Sequence, residues 1–274
     1  MALWDKISSR GNVDDRRSIS RTGITGVGVT GVLLLMGVTY LLGGNPLDVL
    51  TQIDPSQLQA PLSEAEKAKY QGVDTYELFV SEVVGSADDY WTSLFLSQNK
   101  VYAKAELVLF RDSTESACGG AHAVSGPHYC PLDQKVYLDE TFFEKLHSEF
   151  GAQGGDVAEA YVIAHEVGHH VQHQLGMLRD EESTNEQSVG IELQADCFAG
   201  LWAHSINDQG ILEFNEIDEA IDAAAAVGDD KIQEKTQGHI RPESWTHGSS
   251  AQRVEAFTNG FTKGSFTSCL TYIQ

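Results

Sequence analysis

Two apolar patterns organise the chain. The first is an uncharged run from Gly23 to Gly44, where Ile24-Thr25-Gly26-Val27-Gly28-Val29 leads into Val32-Leu33-Leu34-Leu35-Met36-Gly37-Val38. At about 1.5 Å per residue, positions 23 through 44 make a helix of roughly 33 Å, long enough to cross a hydrocarbon core. The second is Val157-Ala158-Glu159-Ala160-Tyr161-Val162-Ile163-Ala164, whose helix-compatible pattern continues into Ala164-His165-Glu166-Val167-Gly168-His169-His170-Val171-Gln172. Asp156 is the expected N-cap of this helix and Gly176 its left-handed stop.

Other elements follow from the same reading. Helical patterns are expected in 64–71 and from Tyr76 to Val84, with Asp88-Asp89-Tyr90-Trp91 opening a further short helix. Glu106-Leu107-Val108-Leu109-Phe110 and Lys135-Val136-Tyr137-Leu138-Asp139 read as strands. The stretch between them, Cys118 to Pro131, reads as a Gly/Pro loop. The Lys135–Asp139 strand, shortly before the histidine helix, is a candidate sheet edge for pairing with an extended chain by main-chain hydrogen bonds, the alternative being an ordinary strand in a small mixed sheet. An amphipathic helix is expected over Thr141–Phe150, a largely apolar one through Ser188–Ala203, an acidic, alanine-rich one around Glu216–Val227, and a last helix from a Ser249 or Ser250 cap to Phe261.

Charge and composition exclude more than they suggest. A net charge of −22 leaves no basic footprint for nucleic acid. The apolar and aromatic content suits a globular protein with a real core, and 274 residues are enough for one. Gly23–Gly44 lacks an A-x-A-like cleavage site and is longer than a typical signal core, so an uncleaved single-pass anchor is expected. Lys6, Arg10, Arg16, Arg17 and Arg21 before it place the N-terminus inside the cytoplasm and the remainder outside.

The chemistry centres on H-E-x-x-H. Residues four apart share one helix face, so His165 and His169 can present imidazoles to one metal ion, with Glu166 beside them. Neutral imidazoles suit zinc, whose catalytic sites combine three protein ligands with an open position for water. A carboxylate next to that water can take its proton and later give it to a leaving amine. Gly168 leaves room between the histidines for another backbone.

A third ligand is expected from the helix carrying Glu192-Leu193-Gln194-Ala195-Asp196, whose two acids are four residues apart in an apolar run. Burying such acids is costly without a cation or hydrogen-bond partners. Glu192 is therefore the candidate third ligand, and Asp196 the acceptor for the outer N–H of a ligand histidine. His173, Glu182 and Glu186 are weaker rivals. His247, Arg253 and Tyr137 are candidate donors to an oxyanion, with His122 and His239 as competitors. Four cysteines allow three pairings. The favoured one joins Cys118 to Cys130 across the short loop, and Cys197 to Cys269, tying the tail to the Glu192 helix.

H-E-x-x-H followed by E-x-x-x-D resembles the gluzincin layout of zinc peptidases. More closely, C-G-G…G-P-H-Y-C-P-L-D-Q-K-V-Y-L-D, A-H-E-V-G-H-H-V-Q, E-L-Q-A-D-C-F-A-G and T-H-G-S-S-A-Q-R-V resemble the bacterial neutral zinc metallopeptidase family, over about residues 70 to 270. The resemblance implies His165, His169 and Glu192 as ligands of one Zn²⁺ per chain, with Glu166 as catalytic base. Residues 1–22 and the strong acidity lie outside the shared pattern.

The expectation is thus an α+β, zincin-like metallopeptidase domain, mainly helical with a small mixed sheet, behind one N-terminal transmembrane helix. Its parts are a cytoplasmic segment 1–22, a span 23–44, a linker 45–66 and an extracytoplasmic domain 67–274 in a bacterial cell membrane. The expected partners are a peptide or protein substrate and the membrane. The alternative is an extracytoplasmic zinc-containing binding or chaperone-like module with little turnover.

Overall fold

The structure, a computed structural model, describes residues 1–17, 73–122, 126–178 and 184–273. The chain divides into one compact unit made of Met1–Asp15 with Asp74–Gln274, and a second, Arg16–Val73, that lies almost wholly outside the described residues. The expected span 23–44, the linker 45–66 and the helical pattern at 64–71 all fall outside them. Among the described residues, no helix is long and apolar enough to cross a membrane.

The first unit is a mixed α+β fold. Its elements are β1 (Asn12–Asp15), α1 (Thr75–Ser97), β2 (Glu106–Phe110), β3 (Ser113–Ser116), β4 (Gly119–His122), β5 (His128–Cys130) and β6 (Lys135–Asp139). Helices α2 (Phe142–Phe150), α3 (Asp156–Gln174), α4 (Asn185–Asp208), α5 (Ile217–Ala226), α6 (Asp229–Gln237), α7 (Ser250–Lys263) and α8 (Phe266–Cys269) follow. The four-stranded sheet runs β1-β2-β6-β5, with β1, β2 and β6 parallel and β5 antiparallel to β6. Strands β3 and β4 form a separate hairpin.

Helix α3 lies at the centre. Its apolar residues are buried almost all round, and it contacts α1, α4, α5, β5 and β6. A helix enclosed in this way needs no amphipathic stripe, which explains its near-continuous apolar run. Asp156 is its first helical residue rather than its cap; Gly155 holds that position. The Asp156 carboxylate accepts hydrogen bonds from Ala2 N (3.0 Å) and Trp4 Nε1 (2.6 Å), so it fastens the start of the chain to the metal-motif helix.

That contact belongs to a larger difference from the sequence reading. Residues 1–15 are built into the same unit as 74–274. Trp4 is buried between Trp202, with stacked rings 6.5 Å apart, and the edge of Phe79 at 5.3 Å. β1 adds a strand to the sheet, pairing Val13 with Leu107. Ala2, Trp4 and Ile7 are buried, but their spacings of two and three residues sustain neither a helical nor a strand period, so the pattern hid them. Paired strands lie about 4.8 Å apart, whereas a hydrocarbon core is about 30 Å thick. A single crossing between Asp15 and Asp74 would put β1 and β2 on opposite sides of it.

The two helical patterns expected at 76–84 and 88–91 are one continuous helix, α1. Gly85 stays helical and makes room for the N-terminal segment: a Cβ there would sit 2.8 Å from the backbone nitrogens of Arg10 and Gly11. The Cys118–Pro131 stretch is not all loop either. It supplies β4 and β5, and β5 takes the sheet edge that was expected of β6. β6 is interior because Tyr129 pairs with Val136 on one side and Leu107 with Val136 on the other.

Disulfides join Cys118 to Cys130 and Cys197 to Cys269. Helices α4 and α7 pack backbone to backbone. A Cβ on Gly200 would sit 2.1 Å from the Phe257 carbonyl oxygen, and one on Gly260 would sit 2.0 Å from that of Cys197.

Candidate metal centre

Helix α3 presents His165 and His169 on one face, and α4 brings Glu192 across to them. His165 Nε2 lies 3.3 Å from one Glu192 oxygen and His169 Nε2 lies 3.5 Å from the other. One ligand atom from each of the three residues falls within 4.8 Å of the others. The close crossing depends on Gly168, where a Cβ would meet the Ala195 carbonyl oxygen at 3.1 Å.

The outer nitrogens of both imidazoles are occupied. His165 Nδ1 lies 2.8 Å from Asp196 Oδ1, and His169 Nδ1 lies 2.8 Å from Gln172 Oε1. With Nδ1 donating in each case, the tautomer assigned from these partners leaves both Nε2 lone pairs facing Glu192. With both Nε2 atoms unprotonated, as metal binding requires, the centre gathers acceptors with no donor among them. That arrangement fits a bound cation, and two imidazoles with one carboxylate suit zinc.

The electrostatics agree. Burial opposes a charge on His165, yet the Asp196 and Glu192 carboxylates outweigh it and push its pKa up to about 10. Glu192 is held well below the usual carboxylate range; burial acts against this, and His169 and His165 prevail. Positive charge is stabilised at this point.

Asp196 is fully buried, and burial alone would raise its pKa, but Arg253 and His165 hold it low. It accepts from Arg253 Nε (2.8 Å) and Nη2 (2.9 Å), from the Tyr161 hydroxyl (2.6 Å) and from His165. Arg253, a candidate oxyanion donor, is thus committed to Asp196, with Nη1 on the Val227 carbonyl at 3.2 Å. Gln172 was not anticipated from the sequence. Its amide nitrogen donates to the Ile191 carbonyl (2.7 Å) and to Gln194 Oε1 (3.1 Å), which turns its oxygen toward His169. The only sequence signal was its position three residues after a ligand.

These groups open onto a cleft of about 600 Å³. Glu166 lines it beside His165 and His169, β5 and its flanks (Gly126 to Tyr129, and Pro131) form one wall, and Phe142, Leu146, Val227 and Ile232 contribute apolar surface. His247 also faces it. Asp229 fixes the His247 loop by accepting from the backbone nitrogens of Thr246, His247 and Gly248 at 2.7–3.0 Å, and its other oxygen lies 3.2 Å from His247 Nδ1. This hydrogen bond raises the His247 pKa, against the effect of burial.

Tyr137 lies outside the cleft lining, donating its hydroxyl to Asp133 at 2.8 Å and stacking on His128. His239 is exposed beyond α6. Glu186 is exposed in the first turn of α4, and Glu182 falls outside the described residues.

The profile of a family described as "Putative neutral zinc metallopeptidase" matches residues 2–272. The chain belongs to this family. It is 37% identical to the "Uncharacterized protein YpfJ" of Escherichia coli K12 over 286 aligned positions, covering 98% of each chain. It is 39% identical to the "Uncharacterized protein Rv2575" of Mycobacterium tuberculosis H37Rv over 251 positions, covering 85% of this chain and 84% of the relative. No solved structure matches. Zinc is the metal this family's description implies, and the His165, His169 and Glu192 donors could hold it.

Proposed function

We propose that this chain is a zinc-dependent peptidase that hydrolyses peptide bonds, with Glu166 as general base. The observation that carries the reading is the convergence of His165 Nε2, His169 Nε2 and Glu192 in an open cleft that Glu166 also lines. Bound zinc would supply Lewis acidity, acidifying water and polarising the scissile carbonyl. Glu166 takes a proton from the attacking water and delivers it to the leaving amine. His247, oriented by Asp229, donates to the carbonyl oxygen as that atom gains charge. β5, last in the sheet order among the described residues, offers its outer edge to an extended peptide. An open cleft and a carboxylate beside the ligands argue against a purely structural metal site.

We further propose that the unit works outside the cytoplasm, attached to a membrane through 23–44. Two disulfides support an oxidising compartment, and the apolar run supports attachment. Residues 1–15, as part of the folded unit, share its compartment.

The test uses the full chain, with zinc measured by mass spectrometry and casein cleavage assayed on the same samples. One zinc per chain is expected, lost in Glu192→Ala. Glu166→Gln should keep its zinc while cleavage falls by about 10²–10⁴-fold. Stoichiometric zinc with no cleavage of any peptide would favour a binding module, and no zinc would remove both readings.

A further inference from the structure

The metal-motif helix carries two more histidines than the centre uses. His170 and His173 follow His169 by one and four residues, and both turn toward β5, the strand that forms a wall of the cleft. The Tyr129 hydroxyl lies 2.7 Å from His173 Nδ1 and 3.2 Å from His170 Nδ1. His170 Nε2 lies 2.8 Å from the Ala103 carbonyl oxygen. A carbonyl can only accept, so His170 Nε2 carries the proton and its Nδ1 is an acceptor. Tyr129 then donates to His170 and receives from His173 Nδ1–H. One directed chain results, running from His173 through Tyr129 and His170 to Ala103. Both rings also meet Tyr129 edge-on, at 5.5 and 5.9 Å between centroids.

We infer that Tyr129, pinned by His170 and His173, is a positioning residue that sets the distance and register of the β5 edge relative to the metal ligands. The inference rests on the peptidase reading and deepens it. β5 has three residues and, among the described residues, pairs with the sheet on one side, through β6. A strand this short is weakly held by its ladder. Its fixed points are the Cys118–Cys130 disulfide at one end and the Tyr129 contact in the middle. The contact falls on α3 within one turn of His169, so a peptide laid along β5 takes its position from the helix that supplies two of the metal ligands. Small displacements of a reacting bond cost large factors in rate, which makes such a tether consequential.

The variant Tyr129→Phe keeps the ring and removes the hydroxyl. Two readouts are taken on the full chain. Hydrogen exchange of the β5 amides should quicken about tenfold, while exchange in α3 and zinc content stay unchanged. For an extended peptide long enough to lie along the strand, KM should rise about tenfold; for a dipeptide-sized substrate it should not change. His173→Asn, which retains a donor near the Nδ1 position, should behave as wild type, and His173→Ala as Tyr129→Phe. Unchanged β5 exchange in Tyr129→Phe, or an equal KM rise for long and short substrates, would overturn the proposal. If the wild-type chain cleaves nothing while β5 exchange responds as stated, the peptidase reading fails and the tether stands.

Discussion

Arg253 and Asp196, 57 residues apart in sequence, form a two-pronged buried ion pair, Nε to Oδ2 at 2.8 Å and Nη2 to Oδ1 at 2.9 Å. The same carboxylate holds His165, so helix α7 reaches the candidate metal centre through one side chain. Asp196→Asn should lower zinc affinity by about 10–100-fold, the usual effect of losing a ligand's supporting carboxylate. Competition against a zinc chelator measures it. Arg253→Met leaves Asp196 buried without its counter-ion and should cost about 3–5 kcal/mol in urea unfolding.

The N-terminal segment should be required for stability. Trp4→Ala removes the ring between Trp202 and Phe79 together with its bond to Asp156, and should cost about 3–5 kcal/mol. A chain beginning at residue 74 loses β1 as well and should melt at a lower temperature still. Equal melting temperatures for that shortened chain and the full one would contradict the pairing of β1 with β2.

The same pairing predicts sidedness. Ser8 and Ser97 are exposed residues of one folded unit. Ser8→Cys and Ser97→Cys, made singly and treated in intact cells with a membrane-impermeant maleimide, should both label or both be protected. Labelling of one alone would restore a single crossing between them.

Gly200 and Gly260 let α4 and α7 touch through their backbones. Gly200→Ala should force the helices apart and cost about 1–3 kcal/mol, since overpacking of this kind is relieved only by backbone shifts. Thermal unfolding of the folded chain measures it.

Asp88 gives a pH signature. It is fully buried and accepts from Tyr102 OH (3.1 Å) and Ala105 N (3.0 Å); burial pushes its pKa from 3.8 up to about 6. Between those values the folded chain keeps a proton that the unfolded chain has released, so this group's contribution to stability falls as pH rises from about 4 to 6. Asp88→Asn retains the accepting oxygen and removes the titration. Its melting temperature relative to wild type should climb across that window and level off above it.

The local parts of this protein were legible in the sequence because they obey short periods. His165, Glu166 and His169 are spaced by the helix repeat, Glu192 and Asp196 stand out as acids in an apolar run, and Glu106–Phe110 and Lys135–Asp139 show dense β-forming patterns. Which partner each group finds is not local. Arg253 reaches Asp196 across the helix crossing at Gly200, and Ile191 and Gln194 turn Gln172 onto His169 across the crossing at Gly168. Tyr129 meets His173 through a strand–helix contact; no window of sequence contains these partners. The N-terminal strand was hidden for the same reason. A four-residue parallel strand has no turn to announce it, and β1 becomes a strand only because β2 offers it an edge. The sequence determined the chemistry available to this chain; the packing of α3 against α4, α7 and β5 decided where each group is held.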